Sequence, residues 1–147
     1  MFLIIAVAAA VCGLDLFTKK RVVDLDDRKK LPEKKFGVHV KRVENPGLLM
    51  GWMKEYPLVV KTLPIAALAL YMLLMLPRGL KGSIIPKIGW GLLIGGSAGN
   101  MIEHIVKGRV IDFIRQPDIP KKERKSWFYY NIGDIGIVLG AIMTLFR

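Results

Sequence analysis

Two aspartates, Asp112 and Asp134, are the residues of this chain best suited to chemistry. They lie in Val110-Ile111-Asp112-Phe113 and Asn131-Ile132-Gly133-Asp134, on either side of the last loop between apolar segments. An aspartate at membrane depth costs roughly 2.5–3.5 kcal/mol on insertion scales, so a pair at one membrane face indicates a use. Paired carboxylates that share a proton can direct water against a peptide bond. The first hypothesis is therefore an intramembrane aspartyl protease.

The composition indicates the membrane setting. Of 147 residues, 52% are hydrophobic, the mean hydropathy is +0.38 and the formal net charge is +11. A small polytopic protein with basic loops combines these values, whereas a soluble domain of this size does not. The basic residues fall between apolar runs, which favours anionic membrane lipid headgroups over nucleic acid as partners. A solvated loop with no partner is the alternative. The single cysteine, Cys12, excludes an internal disulfide.

Four apolar segments predict an all-α membrane protein, a four-transmembrane-helix bundle that forms one domain over residues 1–147. Each is close to the roughly 20 residues that a helix needs to cross a bilayer. They run over Phe2–Phe17, Pro57–Leu76, Ile84–Val106 and Phe128–Phe146. In the first loop, apolar and polar residues alternate from Phe36 to Val43, which predicts a small β element against the membrane surface.

The polar residues within the spans converge on one face of the predicted bundle. Four spans put loops one and three on the same side. Asp15 ends the first span on that side, and Asn100, Glu103 and His104 lie where the third span approaches it. Asp134 is expected about two turns into the fourth span from the same side. This convergence predicts a site.

Glycine spacing indicates which helices hold that site. Gly91, Gly95 and Gly99 recur every four residues in the third span, and Gly136 and Gly140 do so in the fourth. Small residues at this interval let membrane helices approach closely. We therefore expect spans three and four to form a close pair.

Taken together in chain order, four motifs resemble those of the lipoprotein signal peptidase (signal peptidase II) family. The first-span motif Asp-x-x-Thr-Lys and the loop-one motif Asn-x-Gly are both present. The third-span signature is a Gly-Asn pair followed by an acidic-basic pair and then Gly-x-Val-x-Asp-Phe. This signature and the fourth-span Phe-Asn-x-Ala-Asp have close counterparts. These motifs are Asp15-Leu16-Phe17-Thr18-Lys19, Asn45-Pro46-Gly47, Gly99-Asn100 with Glu103-His104 and Gly108–Phe113, and Tyr130-Asn131-Ile132-Gly133-Asp134.

The resemblance implies an enzyme that cleaves signal peptides from prolipoproteins, just before a cysteine that carries diacylglycerol. Asp112 and Asp134 would be the catalytic pair, with Asn100 and Asn131 orienting it. Asn45 would contact the substrate, and the resemblance implies neither a metal nor a cofactor. The supporting or substrate-binding set is completed by Asp15, Lys19 and His104.

Three departures from the family pattern concern the substrate side. Glu103-His104 stands where the family usually has Asp-Arg, and a histidine does not supply the planar charged fork of an arginine. His104 is either a donor when protonated or a helix-interface residue. Gly133 replaces an alanine, and Pro46 with Leu48-Leu49-Met50 replaces a Gly-Ala-Ala-Phe tract.

Two questions stay open on the sequence. Basic residues in loops one and three would make those loops cytoplasmic, whereas the resemblance implies a bacterial cytoplasmic membrane protein whose β element and active site are extracytoplasmic. We expect the second arrangement. The functional alternatives are a weak or inactive paralogue that binds lipidated peptides, and a small membrane accessory or transport protein. A transporter would normally show midplane polar groups and an internal repeat, which this chain lacks.

Overall fold

A bundle of helices with a small sheet at one end forms the fold. The computed structural model describes residues 1–32, 34–35, 38–48, 52–81, 83–115 and 129–146. Within those ranges the helices are α1 Phe2–Asp27, α2 Pro57–Lys81, α3 Ile84–Lys107 and α4 Ile132–Met143. The strands are β1 Lys34–Lys35, β2 Val38–Asn45, β3 Val110–Arg115 and β4 Tyr129–Tyr130, paired antiparallel in the order β1-β2-β3-β4.

Among the described residues, two helices are long and apolar enough to cross a membrane, namely Phe2–Asp27 and Pro57–Pro77 of α2. The 26 residues of α1 rise about 39 Å at about 1.5 Å per residue, which exceeds a hydrocarbon core of about 30 Å. Helix α4 is apolar but has only 12 residues. The mainly helical fold predicted from the sequence is therefore present, and the helices differ in length far more than the apolar runs do.

Helix α1 continues past Phe17, where its apolar run ends. The charged residues that end the run do not end the helix, because Lys19 is fully buried against Asp15. One turn later, Val22 packs in a buried cluster with Ile111 and Phe113 of β3. The second half of α1 thus supports the sheet rather than forming part of a loop.

The sheet joins the first and third connections of the chain, whereas the sequence predicted β structure in the first loop alone. Strand β2 covers most of the predicted element, and Phe36 and Gly37 lie outside the described residues. It pairs with β3, with Val43 opposite Asp112 and an irregular register between Val40 and Val43. The pairing brings both connections to one end of the bundle, as the sequence predicted.

Helix α3 is the central helix, since it packs against α1, α2 and α4. The predicted close pair of spans three and four is present, since a Cβ on Gly140 would meet the backbone of Gly89 and Leu93 in α3. The glycine repeat of the third span, however, faces α1 rather than α4. A Cβ on Gly91 would meet Val7 of α1, and one on Gly95 would meet the backbone of Ala8. Helix α4 is instead approached at Gly96, where a Cβ would meet the carbonyl oxygen of Gly133. The glycines of α3 therefore pack against two neighbouring helices, Gly91 and Gly95 against α1 and Gly96 against α4.

Helix α4 begins later than its apolar run. Asn131 is the N-cap, and the two preceding residues Tyr129–Tyr130 form β4, while Phe128 lies outside the described residues. Asp134 is consequently the third residue of the helix, not two turns inside it. The predicted start was wrong because a short apolar strand and an apolar helix look alike in hydropathy.

Candidate active site

Asp112 lies on β3, close behind the end of α3. Gly108 ends α3 in the left-handed conformation (φ 68°), a geometry that glycine adopts without steric cost, and the strand begins two residues later. The Asp112 side chain is only 4% exposed. Its carboxylate accepts hydrogen bonds from Asn131 Nδ2 at 2.7 Å and from Asn45 Nδ2 at 3.1 Å.

Asp134 occupies the first turn of α4 and takes part in the cap of that helix. Its Oδ2 accepts the backbone N–H of Asn131 at 3.0 Å, while Asn131 Oδ1 accepts the N–H of Asp134 at 2.9 Å. Its Oδ1 accepts a hydrogen bond from Asn100 Nδ2 at 2.8 Å. The two reciprocal bonds between Asn131 and Asp134 form a capping box, which fixes the Asp134 side chain at the start of α4.

Asn131 joins the two aspartates. It is fully buried, its side-chain amide donates to Asp112, and its backbone N–H donates to Asp134. Its side-chain oxygen Oδ1 accepts the Asp134 N–H in the cap, which fixes the orientation of the side-chain amide. The two carboxylates are therefore held on either side of one immobile residue.

The two carboxylates have different surroundings. Burial raises the pKa of Asp112 from its ordinary 3.8 to about 6, and the negative charge of Asp134 acts in the same direction. The hydrogen bonds from Asn45 and Asn131 and the charge of Lys19 lower this pKa again, by less. A carboxyl of this pKa can hold a proton near neutral pH while a second carboxylate beside it accepts one, as acid–base catalysis requires.

A buried cation lies behind the pair. Lys19 Nζ donates to Asp15 Oδ2 and to Asn100 Oδ1, each at 2.6 Å, and both charged side chains are fully buried. Because an ammonium only donates, it holds the oxygen of Asn100 and leaves the amide nitrogen for Asp134. Asp15, Lys19 and Asn100 therefore lie at the site, as the sequence predicted.

Asn45 shapes the edge of the site from the end of β2. Its Oδ1 accepts the N–H of Gly47 at 3.1 Å, which forms the predicted turn, and its Nδ2 also donates to the carbonyl of Leu48 at 3.1 Å. Leu49 and Met50, part of the departure from the family tract, lie outside the described residues. Asn45 is thus placed where the end of the first loop meets Asp112.

Of the adjacent residues Glu103 and His104, the sequence selected His104 for the site, but Glu103 makes the hydrogen bonds. His104 is 7% exposed, and its imidazole has no hydrogen bond to the described part of the chain; its charged neighbours are Lys19, Glu103 and Lys61. Glu103, absent from the predicted site set, is 1% exposed and accepts the backbone N–H of Ile111, the residue before Asp112. A buried acid on a membrane helix was the signal that could have identified it.

Within the described ranges, no cluster of three or more histidine, cysteine, aspartate or glutamate side chains that could hold a metal ion is present. The hydrogen bonds given above link the carboxylates, amides and ammonium of the site, namely Asp112, Asp134, Asp15, Asn45, Asn100, Asn131 and Lys19.

The fold and site define a class of helical, membrane-type protein in which a buried aspartate on a small sheet lies beside a half-buried aspartate at the start of a helix. The family model described as signal peptidase (SPase) II matches residues 7–147. The chain belongs to the signal peptidase II family, which confirms the family indicated by its motifs.

Relatives in sequence and structure agree with this assignment. A lipoprotein signal peptidase of Chlorobium phaeobacteroides is 32% identical over 147 residues, covering 94% of this chain and 90% of that protein. One from Nitrobacter hamburgensis is 32% identical over 103 residues, covering 69% of this chain. That match spans 63% of the Nitrobacter protein's length. A solved bacterial membrane enzyme shares the fold at a TM-score of 0.67 and 19% identity, covering 97% of this chain and 84% of its own.

The raised pKa of Asp112 predicts a pH dependence of stability. A pKa of about 6 in the folded protein against 3.8 unfolded is equivalent to about 3 kcal/mol. Because the folded state holds the proton more tightly, the contribution of Asp112 to stability is fully present below about pH 4. It is lost as the pH rises through about 6. Asp112→Asn, which does not titrate, should gain thermal stability relative to the wild type as the pH rises from 4 to 7. Midpoints measured in detergent across this range test it, and a difference independent of pH would contradict it.

Proposed function

We propose that this protein is an aspartic endopeptidase that removes signal peptides from diacylglyceryl-modified prolipoproteins. The observation that carries the proposal is the pair Asp112 and Asp134, held on either side of Asn131 in different electrostatic surroundings. Membership of the signal peptidase II family and the names of the relatives support the substrate class. The two carboxylates beside Asn131 support the aspartic type of the chemistry.

The two aspartates would divide the proton transfers. Asp134, at the helix N-terminus, takes a proton from the attacking water as its oxygen bonds to the scissile carbonyl carbon. Asp112 gives its proton to the carbonyl oxygen, which leaves a neutral tetrahedral diol. When the C–N bond breaks, Asp134 returns a proton to the leaving nitrogen, and Asp112 recovers one from the diol. The pair ends in its starting protonation state, so one water is consumed per bond.

The neighbouring amides would prepare the site for a peptide. Asn45 lies at the end of β2 beside Asp112, where it can exchange its bond to the Leu48 carbonyl for a substrate carbonyl. Asn100 and Asn131 hold the carboxylates in fixed orientations. Such preorganisation reduces the reorganisation needed in the transition state.

Removal of either carboxyl should abolish cleavage. Asp112→Asn and Asp134→Asn keep the side-chain shape but remove the proton transfers, so kcat should fall by about 10⁴-fold. The measurement is turnover of a diacylglyceryl-modified prolipoprotein peptide by the purified protein in nanodiscs, together with peptide affinity. Glu55→Gln, which neutralises an exposed carboxylate outside the site, serves as the control and should retain activity.

The outcomes separate the two functional classes. Binding without cleavage by the wild type would indicate a peptide-binding paralogue and contradict the enzyme. Substantial turnover by either aspartate variant would remove that residue from catalysis.

His104 is proposed as a supporting residue on the substrate side of α3. His104→Ala should weaken peptide affinity several-fold, about 1 kcal/mol for one lost hydrogen bond. His104→Arg should lower the thermal midpoint, because a longer charged side chain would enter a position that is 7% exposed and has Lys19 and Lys61 as charged neighbours. Affinity and thermal melting of both variants are the measurements. Unchanged affinity in His104→Ala would show that the residue takes no part in recognition.

We also infer that all four helices are embedded in the bacterial cytoplasmic membrane, with the sheet on the extracytoplasmic side. In this arrangement α4 begins below the membrane surface, which accounts for its 12 residues. The basic loops would then contact anionic lipid headgroups, at about 1 kcal/mol per basic residue near the surface.

Cysteine labelling in intact cells tests the orientation. In a Cys12→Ala background, Arg28→Cys at the sheet end should react with a membrane-impermeant maleimide from outside. Phe146→Cys, at the opposite end, should react only after the cells are lysed. The reverse pattern would place the sheet in the cytoplasm, as positive-inside counting favours.

A further inference from the structure

The backbone N–H immediately before each aspartate is held by a buried carboxylate from another element. Gly133 N–H, before Asp134, donates to Asp15 Oδ1 of α1 at 2.8 Å. Ile111 N–H, before Asp112, donates to Glu103 Oε2 of α3 at 3.0 Å. The two aspartates are thus anchored in the same way through their preceding peptide groups.

Neither N–H has a partner from its own secondary structure. Gly133 lies in the first turn of α4, where N–H groups lack an intrahelical acceptor. Ile111 lies opposite Glu44 of β2, but alternate residues of an antiparallel strand point their N–H groups away from the partner strand, and the Ile111 N–H donates to Glu103 instead. Strand β4 pairs with Ile114 and Arg115 and does not reach Ile111. The two carboxylates therefore satisfy buried N–H donors that would be destabilising if left unpaired.

Lys19 connects the two anchors. Its Nζ lies 2.6 Å from Asp15 Oδ2 and 3.5 Å from Glu103 Oε2, and all three side chains are 0–2% exposed. A second cation, Lys107, pairs with Glu103 Oε1 at 2.7 Å from a half-exposed position. Two buried negative charges are thus matched by two positive ones.

Burial of these ions is expensive, because the desolvation of each charge costs several kcal/mol that its pairing only offsets. A hydrophobic cluster would stabilise the bundle at least as well. What the ions provide, and hydrophobic groups would not, is directional bonding to two particular peptide groups.

We propose that Glu103 and Asp15 are paired positioning residues, joined by Lys19, that set the location of Asp112 and Asp134 relative to each other. The inference rests on the proposed function for its catalytic consequence, but the anchoring itself is independent of it. Misplacement of a reacting group by about 1 Å can cost about 10²-fold in rate. Loss of one anchor should therefore slow catalysis without removing a catalytic residue.

The atomic pattern distinguishes the substitutions that keep an anchor from those that break it. The donors Ile111 N–H and Lys19 both approach one oxygen of Glu103, so Glu103→Gln can keep that oxygen in place. Its amide nitrogen then faces Lys107, whose half-exposed side chain can turn toward solvent. Glu103→Leu has no acceptor. In Asp15 the two donors use different oxygens, so Asp15→Asn keeps an acceptor for only one of them. The ammonium of Lys19 takes that oxygen, because a charge-assisted hydrogen bond is stronger than one from a neutral peptide N–H, and Gly133 loses its acceptor.

Amide hydrogen exchange, measured by NMR on the full chain in detergent micelles, tests the anchors directly. Glu103→Leu should accelerate exchange at Ile111 by about 10-fold or more and leave Gly133 unchanged, whereas Asp15→Asn should do the reverse. Glu103→Gln should retain protection at Ile111. Glu55→Leu, an exposed glutamate changed in the same way, should alter neither amide.

Kinetics on the lipidated peptide supply the second readout. Glu103→Leu should lower kcat about 10- to 100-fold with KM within about twofold, and Glu103→Gln should restore most of kcat.

Equal acceleration of both amides in each variant would overturn the proposal, because the carboxylates would then only stabilise the fold. So would unchanged exchange and kcat in Glu103→Leu. If the wild type cleaves no peptide, the proposed function fails, and the exchange pattern still decides the anchoring. If Glu103→Leu does not fold, Asp15→Asn decides it through Gly133.

Discussion

The buried ammonium of Lys19 constrains the rest of the structure. An isolated charge in a low-dielectric interior is unstable unless it is paired and fully hydrogen-bonded. Lys19 meets this condition only because α1 supplies Asp15 and α3 supplies Asn100 and Glu103 at the same depth. Once those helices are held in that register, the remaining bonding capacity of Asn100 and Asp15 is directed at α4. The position of Asp134 therefore depends on the hydrogen bonds by which Asp15 and Asn100 surround the Lys19 ammonium.

Close helix packing makes this arrangement possible. Carboxylate side chains are short, so Asp15 reaches the backbone of α4 only if little lies between the helices. Gly99 provides the room on α3, since a Cβ there would meet the Asp15 carboxylate. Gly133 provides it on α4, where a Cβ would lie 3.2 Å from Asp15 Cγ. A Cβ on Gly133 would also lie 2.9 Å from the carbonyl oxygen of Gly96. Glycine in place of the family's alanine at 133 therefore fits the close approach of α3 and α4 in this chain.

The acidic pair and its amides could be selected as neighbours from the sequence, because polar residues in apolar segments are rare and their motifs are short and local. It did not predict how far α1 extends, since the charges after Phe17 end an apolar run whether or not they are solvated. It also missed β3, whose residues Val110–Arg115 have no period-two alternation: Asp112 and its flanking apolar residues are all buried. The role of Glu103 was hidden for a different reason. Its partner is a peptide N–H, and backbone partners leave no trace in residue types.

Two identical side chains acquire different properties here from the elements that carry them. Asp112 stands on a strand, where no helix dipole favours its charge, and the sheet and Asn131 remove it from water. Asp134 stands at a helix N-terminus, where it accepts hydrogen bonds from the Asn131 N–H and the Asn100 amide. A symmetric pair on two helices would need some other asymmetry to decide which carboxyl holds the proton. In this fold the asymmetry arises because one aspartate lies on a strand and the other at the start of a helix. Asn131 is hydrogen-bonded to both and keeps the two environments next to each other.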